Sequence, residues 1–137
     1  GGTDNLTIAS GKGVITFGST IGVAAPLDGL VINSAGSSAL TIPQIGNGTT
    51  AAGTNGTVTI GGSTTASVAL SGATYMFGGG ATTIQAAGDI TTRDHADGAT
   101  ILSNGNITIE PGSTSAFKST GALLVKTTAD DNIINIK

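Results

Sequence analysis

Between Asn104 and Gly112 the chain reads Asn-Gly-Asn-Ile-Thr-Ile-Glu-Pro-Gly. Ile107 and Ile109 fall on one parity and Thr108 on the other, the period of two that sends alternate side chains to opposite faces of a strand. The flanking Asn-Gly and Pro-Gly pairs turn the backbone before and after it. The same short pattern recurs along the whole chain and predicts strands at 6–8, 14–17, 21–23, 30–32, 39–42, 57–60, 67–70, 74–77, 82–84, 89–91, 100–102, 106–109, 116–117, 123–125 and 133–136. No window sustains an i, i+3, i+4, i+7 apolar stripe, and β-branched residues dominate, so no helix is expected.

Self-similarity decides how such strands are arranged, because a fixed period of tens of residues marks a solenoid or an array. Aligning strands on Ile8, Ile32, Ile60, Ile84, Ile109 and Ile134 gives steps of 24, 28, 24, 25 and 25 residues. A second series runs through Phe17, Ile42, Leu70, Ile90 and Phe117, and a ragged third through Val23, Ile45, Phe77, Leu102 and Leu124. The expected fold is therefore all-β, a parallel β-helix (β-solenoid) of about five coils with a period near 25 residues and three short strands per coil, filling 1–137 as one domain. The long step before Ile60 coincides with a Gly, Asn, Thr and Ala stretch at 46–56, read as an extruded turn. The alternative is a pilin-like β-sandwich whose last strand, 133–136, is lent to a neighbour.

Composition favours thin layers over a thick core. Only 9% of the residues are charged and 3% aromatic, while glycine contributes 23 of 137. A net charge of -3 and a mean hydropathy of +0.28 separate the chain from disordered sequences, which pair low hydropathy with high charge. Cysteine is absent, which excludes disulfides and thiolate metal sites. The five Lys and Arg residues are scattered without aromatic neighbours, which argues against nucleic acid, and no apolar run reaches the roughly 18 residues of a membrane-spanning helix.

Ile15-Thr16-Phe17-Gly18-Ser19-Thr20-Ile21-Gly22, followed by Leu27-Asp28-Gly29-Leu30-Val31-Ile32-Asn33-Ser34-Ala35-Gly36, resembles the ITFGG-x-IGG-x-x-PLxxLxVNAxG repeats of bacterial filamentous-haemagglutinin-like and autotransporter-like β-strand-repeat surface proteins. The match covers about residues 5 to 42. The resemblance implies a parallel β-helix and an adhesive or scaffolding role on the outer surface of a bacterium, and it carries no catalytic residues.

The densest polar cluster is 89–97, with Asp89, Arg93, Asp94, His95 and Asp97. Grouped Asp, Arg and His can move protons in sugar-cleaving β-helices, which makes a carbohydrate-active enzyme the alternative function. Against it stand the lack of aromatics to line a sugar groove and the Asp97-Gly98 pair, which reads as the close of a polar turn. The cluster could also ligate a cation, as could the acidic turns at Asp4-Asn5 and Asp130-Asp131-Asn132, but none has a calcium-loop pattern. Outward threonines at Thr7, Thr59, Thr83 and Thr108 suit an ordered surface such as ice and equally suit any exposed strand.

The sequence thus predicts an extracellular structural fibre or adhesin module, not an enzyme, with no cofactor, metal or catalytic residue. Its assembly edge is expected at Leu6, Ile8, Ile133, Ile134 and Ile136, because neither end carries a polar cap. Its partners are other copies of itself or adjoining coils, head-to-tail, with host or matrix glycans as a second class. The chain is expected to be a segment of a longer solenoid or a filament subunit.

Overall fold

A computed structural model describes residues 4–34, 38–49 and 52–137. Ala35 and Gly36 of the resembling stretch, and Thr50 and Ala51 of the expected extruded turn, lie outside the described residues. Thirteen strands and no helix are present among those described: β1 (Asn5–Ala9), β2 (Gly29–Asn33), β3 (Leu40–Ile42), β4 (Val58–Gly61), β5 (Val68–Leu70), β6 (Thr74–Phe77), β7 (Thr82–Gln85), β8 (Ile90–Thr92), β9 (Ala99–Ser103), β10 (Ile107–Glu110), β11 (Phe117–Lys118), β12 (Leu123–Thr127) and β13 (Ile134–Ile136). Every pairing between them is parallel. They form three sheets, ordered β1-β2-β4-β7-β10-β13, β3-β5-β8-β11 and β6-β9-β12. Each strand pairs with its equivalent one coil away, so the fold is a β-solenoid of about five turns, roughly 25 residues apart, and the sandwich alternative is set aside.

The first sheet carries two inward columns. One runs Leu6, Leu30, Val58, Thr82, Ile107, Ile134 and the other Ile8, Ile32, Ile60, Ile84, Ile109, Ile136. The expected ladder of Ile32, Ile60, Ile84 and Ile109 is present and wholly buried. The last step differs from the expected one. Ile136, not Ile134, stands on Ile109, because the final corner is two residues longer than a constant period allows. Between these columns the outward row is Thr7, Val31, Thr59, Thr83, Thr108 and Asn135, one residue per coil, as the alternation predicts.

The second sheet departs further from the expected register. Leu40, Val68, Ile90 and Phe117 share one column and Ile42, Leu70 and Thr92 the other, so Ile90 stacks on Val68 and not on Leu70. Residues 14–17 form no strand. Ile15 and Phe17 still pack against the core, but Val14 is 79% exposed. Along β3, residues of outward parity aim their backbone groups at this first coil, and Pro43 at that parity has no N–H to give, which weakens any ladder there.

On the third face, isolated bridges extend β6, β9 and β12 into the first two coils. Ile21, Ile45, Tyr75, Ile101 and Val125 make one column, and Leu27, Thr54, Phe77, Ser103 and Thr127 the other. The expected third series therefore held no correct alignment, and of its members only Ile45 stands in the first column: Leu102 and Leu124 have outward parity, Val23 is exposed, and Phe77 belongs to the second column. Tyr75 and Phe77 are separated by Met76 alone, whereas their equivalents Ile45 and Thr54 enclose 46–53. The excursion is thus shorter than the expected 46–56, since Thr54 and Asn55 have already rejoined the wall: Asn55 N–H donates to the Leu27 carbonyl at 2.7 Å.

Tyr75 anchors the middle of the stack. Its hydroxyl donates to the Ile42 carbonyl and accepts from the Gly72 N–H, both at 2.7 Å, while burial pushes its ionisation well above the ordinary phenol range.

Candidate functional site

Backbone polarity defines the two ends. The inward residues Leu30, Val58, Thr82 and Ile107 donate their N–H groups toward the following coil, to the carbonyls of Thr57, Ala81, Asn106 and Ile133 at 2.8–3.0 Å. Outward residues face the preceding coil, as Lys137 does in donating to the Ile109 carbonyl at 3.1 Å. Parallel ladders alternate in this way along every strand. On β13 the backbone groups of Ile134 and Ile136 therefore aim off the end of the stack, and on β1 those of Asn5, Thr7 and Ala9 aim off the other. Among the described residues no strand pairs with either outer edge.

Of the expected edge residues, Leu6, Ile8, Ile134 and Ile136 fall in the inward columns of the end rungs. Leu6 packs against the core, while Ile134 and Ile136 remain 39% and 49% exposed. Ile133 has the opposite parity: it is 64% exposed, its N–H donates to Asn106 Oδ1 at 2.9 Å, and it belongs to the rim of the edge. Sequence reasoning missed Leu123 and Leu124, also substantially exposed, which give the last rung an apolar third side. Their signal was present in the run Leu123-Leu124-Val125, whose phase a run of like residues conceals. Among the described residues, large exposed aliphatics occur only at Val14, Val23, Val31 and in this last coil.

The polar cluster at 89–97 resolves into separate pairs. Asp89 accepts from Lys118 Nζ at 2.6 Å and from the Ala116 N–H at 2.9 Å, and the lysine contact, followed by the backbone one, holds its carboxyl below the usual range. Asp94 accepts from the Thr120 hydroxyl at 2.8 Å, His95 stands 3.3 Å from Asp97 in full view of solvent, and the Arg93 Nε–H donates to the Gly98 carbonyl. Gly98 closes the turn at φ +64°, and a Cβ there would lie 1.5 Å from the Ala122 carbonyl oxygen, so only glycine fits. Among the described residues, no three His, Cys, Asp or Glu side chains gather in a way that could hold a metal ion.

Two shallow hollows lie on the surface. One of about 230 Å³ lies between 14–17 and the edge of β3, walled by Val14, Ile15, Phe17, Ala39 and Pro43. The other, about 310 Å³, follows a corner past Gln85, Glu110 and Ser113, and Glu110 there faces Lys137 Nζ at 3.3 Å. No helix among the described residues is long and apolar enough to cross a membrane. Comparison with known proteins finds no matching family, no matching curated protein and no matching solved structure.

Proposed function

We propose that this chain is an extracellular structural fibre or adhesin module of a bacterial surface, extended by end-to-end stacking of β-strands. One observation carries the reading. Among the described residues no strand pairs with either outer edge of the first sheet, and the last rung exposes, at Ile134 and Ile136, the same two aliphatic columns that the inner coils bury. Exposed parallel edges of this kind recruit further strands, either adjoining coils of the same polypeptide or another copy. Surface location follows from the resemblance of the first coils, and adhesion to glycans is a second use of the exposed faces.

Ile134→Pro tests the stacking. The N–H of Ile134 is not used by β10, so proline removes a donor offered to an incoming strand and leaves the internal ladder in place. Light scattering and electron microscopy of the 137-residue chain are expected to show filaments that the variant lacks, with both proteins equally folded. A strictly monomeric parent at high concentration would end the fibre reading. Retention of any adhesive or assembly property by the double variant Asp94→Ala/His95→Ala is expected, whereas a glycan-cleaving activity abolished by it would favour the enzyme.

A further inference from the structure

Residues 29–88 contain no Asp, Glu, Lys, Arg or His at all. Within this neutral stretch the tripeptide Asn-Gly-Thr occurs twice, at Asn47-Gly48-Thr49 and at Asn55-Gly56-Thr57. A third Asn-Gly pair, Asn104-Gly105, lies in the fourth coil. Asparagine followed by glycine can close a succinimide, because no side chain on the next residue hinders its nitrogen. The ring forms only where the fold lets that nitrogen approach the asparagine Cγ.

The three pairs sit in different settings. At Asn55 the peptide is clamped: its N–H is bound to the Leu27 carbonyl, its carbonyl accepts from the Gly80 N–H at 3.3 Å, and Gly56 is pressed so closely on the preceding coil that a Cβ would lie 1.8 Å from the Asp28 carbonyl oxygen. At Asn104 the N–H donates to Phe77, the side chain takes the Thr128 hydroxyl, and the Gly105 N–H is itself tied to Ser103 Oγ at 3.0 Å. Asn47 is exposed on the 46–53 excursion, and the nearest neighbours of a Cβ on Gly48 are atoms of the Gln44 side chain, at 3.1 Å and beyond. Its Oδ1 accepts from both the Thr49 N–H at 3.0 Å and the Thr49 hydroxyl at 3.3 Å. Those donors fold the carboxamide over its own backbone and face the oxygen that becomes negative when Cγ is attacked.

We infer that Asn47 is a self-modification site, at which the folded protein converts an amide into a carboxylate using only water. The Gly48 backbone nitrogen loses its proton to solvent base and bonds to Asn47 Cγ. The Cγ–Nδ2 bond then breaks, and Nδ2 takes up a proton and leaves as ammonia. Water opens the imide at either carbonyl, giving an aspartyl or a β-linked isoaspartyl residue. The product carries the first charge in the sixty residues from 29 to 88 and, in the isoaspartyl form, one more backbone atom in the excursion.

The identical tripeptides supply an internal control. The folded 137-residue chain is incubated at mildly alkaline pH, and peptides are assayed by mass spectrometry for the amide-to-acid mass change and for isoaspartate. Asn47 is expected to convert at least about tenfold faster than Asn55 and Asn104, a ratio that collapses when the chain is held in denaturant. Thr49→Val, which removes the hydroxyl donor and keeps the backbone one, is expected to slow Asn47 alone. Equal rates at Asn47 and Asn55 in the folded chain, or an Asn47 rate in the fold below that in denaturant, would overturn the inference.

Discussion

Ile84 and Ile136 occupy the same inward column of the same sheet, yet one is wholly buried and the other is 49% exposed. Their chemistry is identical, so the difference lies in neighbours: β7 has β4 on one side and β10 on the other, whereas β13 has β10 alone. In a compact domain an isoleucine is buried by its own fold. In a solenoid it is half buried by the coil before and half by the coil after, and stability becomes a sum of interfaces between neighbours. The contrast teaches that the end rungs hold unspent apolar surface of the same kind that stabilises the middle.

The largest expected effect breaks the interior side of that contrast. Ile84→Asp places a carboxylate between Ile60 and Ile109 with no partner, and the chain is expected to lose its fold, since a buried unpaired charge costs more than about 4 kcal/mol. The fluorescence of Tyr75, the sole tyrosine and wholly buried, together with circular dichroism reads the outcome. A variant that melts like the parent would show the column to be misplaced.

A milder pair sharpens the comparison. Ile84→Ala is expected to cost about 2–5 kcal/mol by opening a cavity. Ile136→Ala in the dispersed chain should cost less than about 1.5 kcal/mol, because half of that side chain already meets water. Denaturant titration measures both. Equal costs would mean that the end rung is covered after all. If filaments form, the penalty at Ile136 is expected to rise toward that at Ile84.

How much of this was legible in the residues depends on the face. The first sheet was readable because single polar residues such as Thr59, Thr83 and Thr108 separate its aliphatics, so only one phase buries them. The third was not: Ile101-Leu102 and Leu123-Leu124-Val125 offer apolar side chains at both parities, and only backbone pairing selects Ile101 and Val125 as inward. Corners of unequal length also shift the register, which is why Ile134 and Ile90 were each aligned two residues out. The end residues were legible as aliphatics without a cap, while the outward aim of Ile133 required the ladder. The 89–97 turn was legible through Asp97-Gly98, but the dispersal of its charges among Lys118, Thr120 and Gly98 depends on contacts from the next coil and from the turn's own close.

Thr82 is the one polar member of the column Leu6, Leu30, Val58, Thr82, Ile107, Ile134, and its buried hydroxyl has no hydrogen-bond partner. Valine has nearly the same shape and removes that unpaired group. Thr82→Val is therefore expected to stabilise the chain by about 1 kcal/mol, which a rise in the denaturation midpoint at unchanged slope would register. A loss of stability would mean that the hydroxyl has a partner in solution. The sign matters for the comparison, because only an interior rung gains from losing a polar atom.

The smallest effect concerns the junction of the last two coils, where Lys118 in β11 reaches back to Asp89 just before β8. The Asp89 carboxyl is held below its ordinary value in the folded chain, first by the lysine and then by the Ala116 N–H. A depressed folded value means that the contact contributes fully above the ordinary carboxylate range, near pH 4, and fades as the pH falls through the lower folded value. Asp89→Asn is accordingly expected to flatten the acid limb of the stability curve, and at neutral pH to change stability little, because both partners are solvent-exposed and salt screens them. Urea midpoints taken from pH 6 down to pH 2.5 would reveal the flattening. The same steep acid limb in the variant as in the parent would show that the Asp89 contact does not govern acid loss.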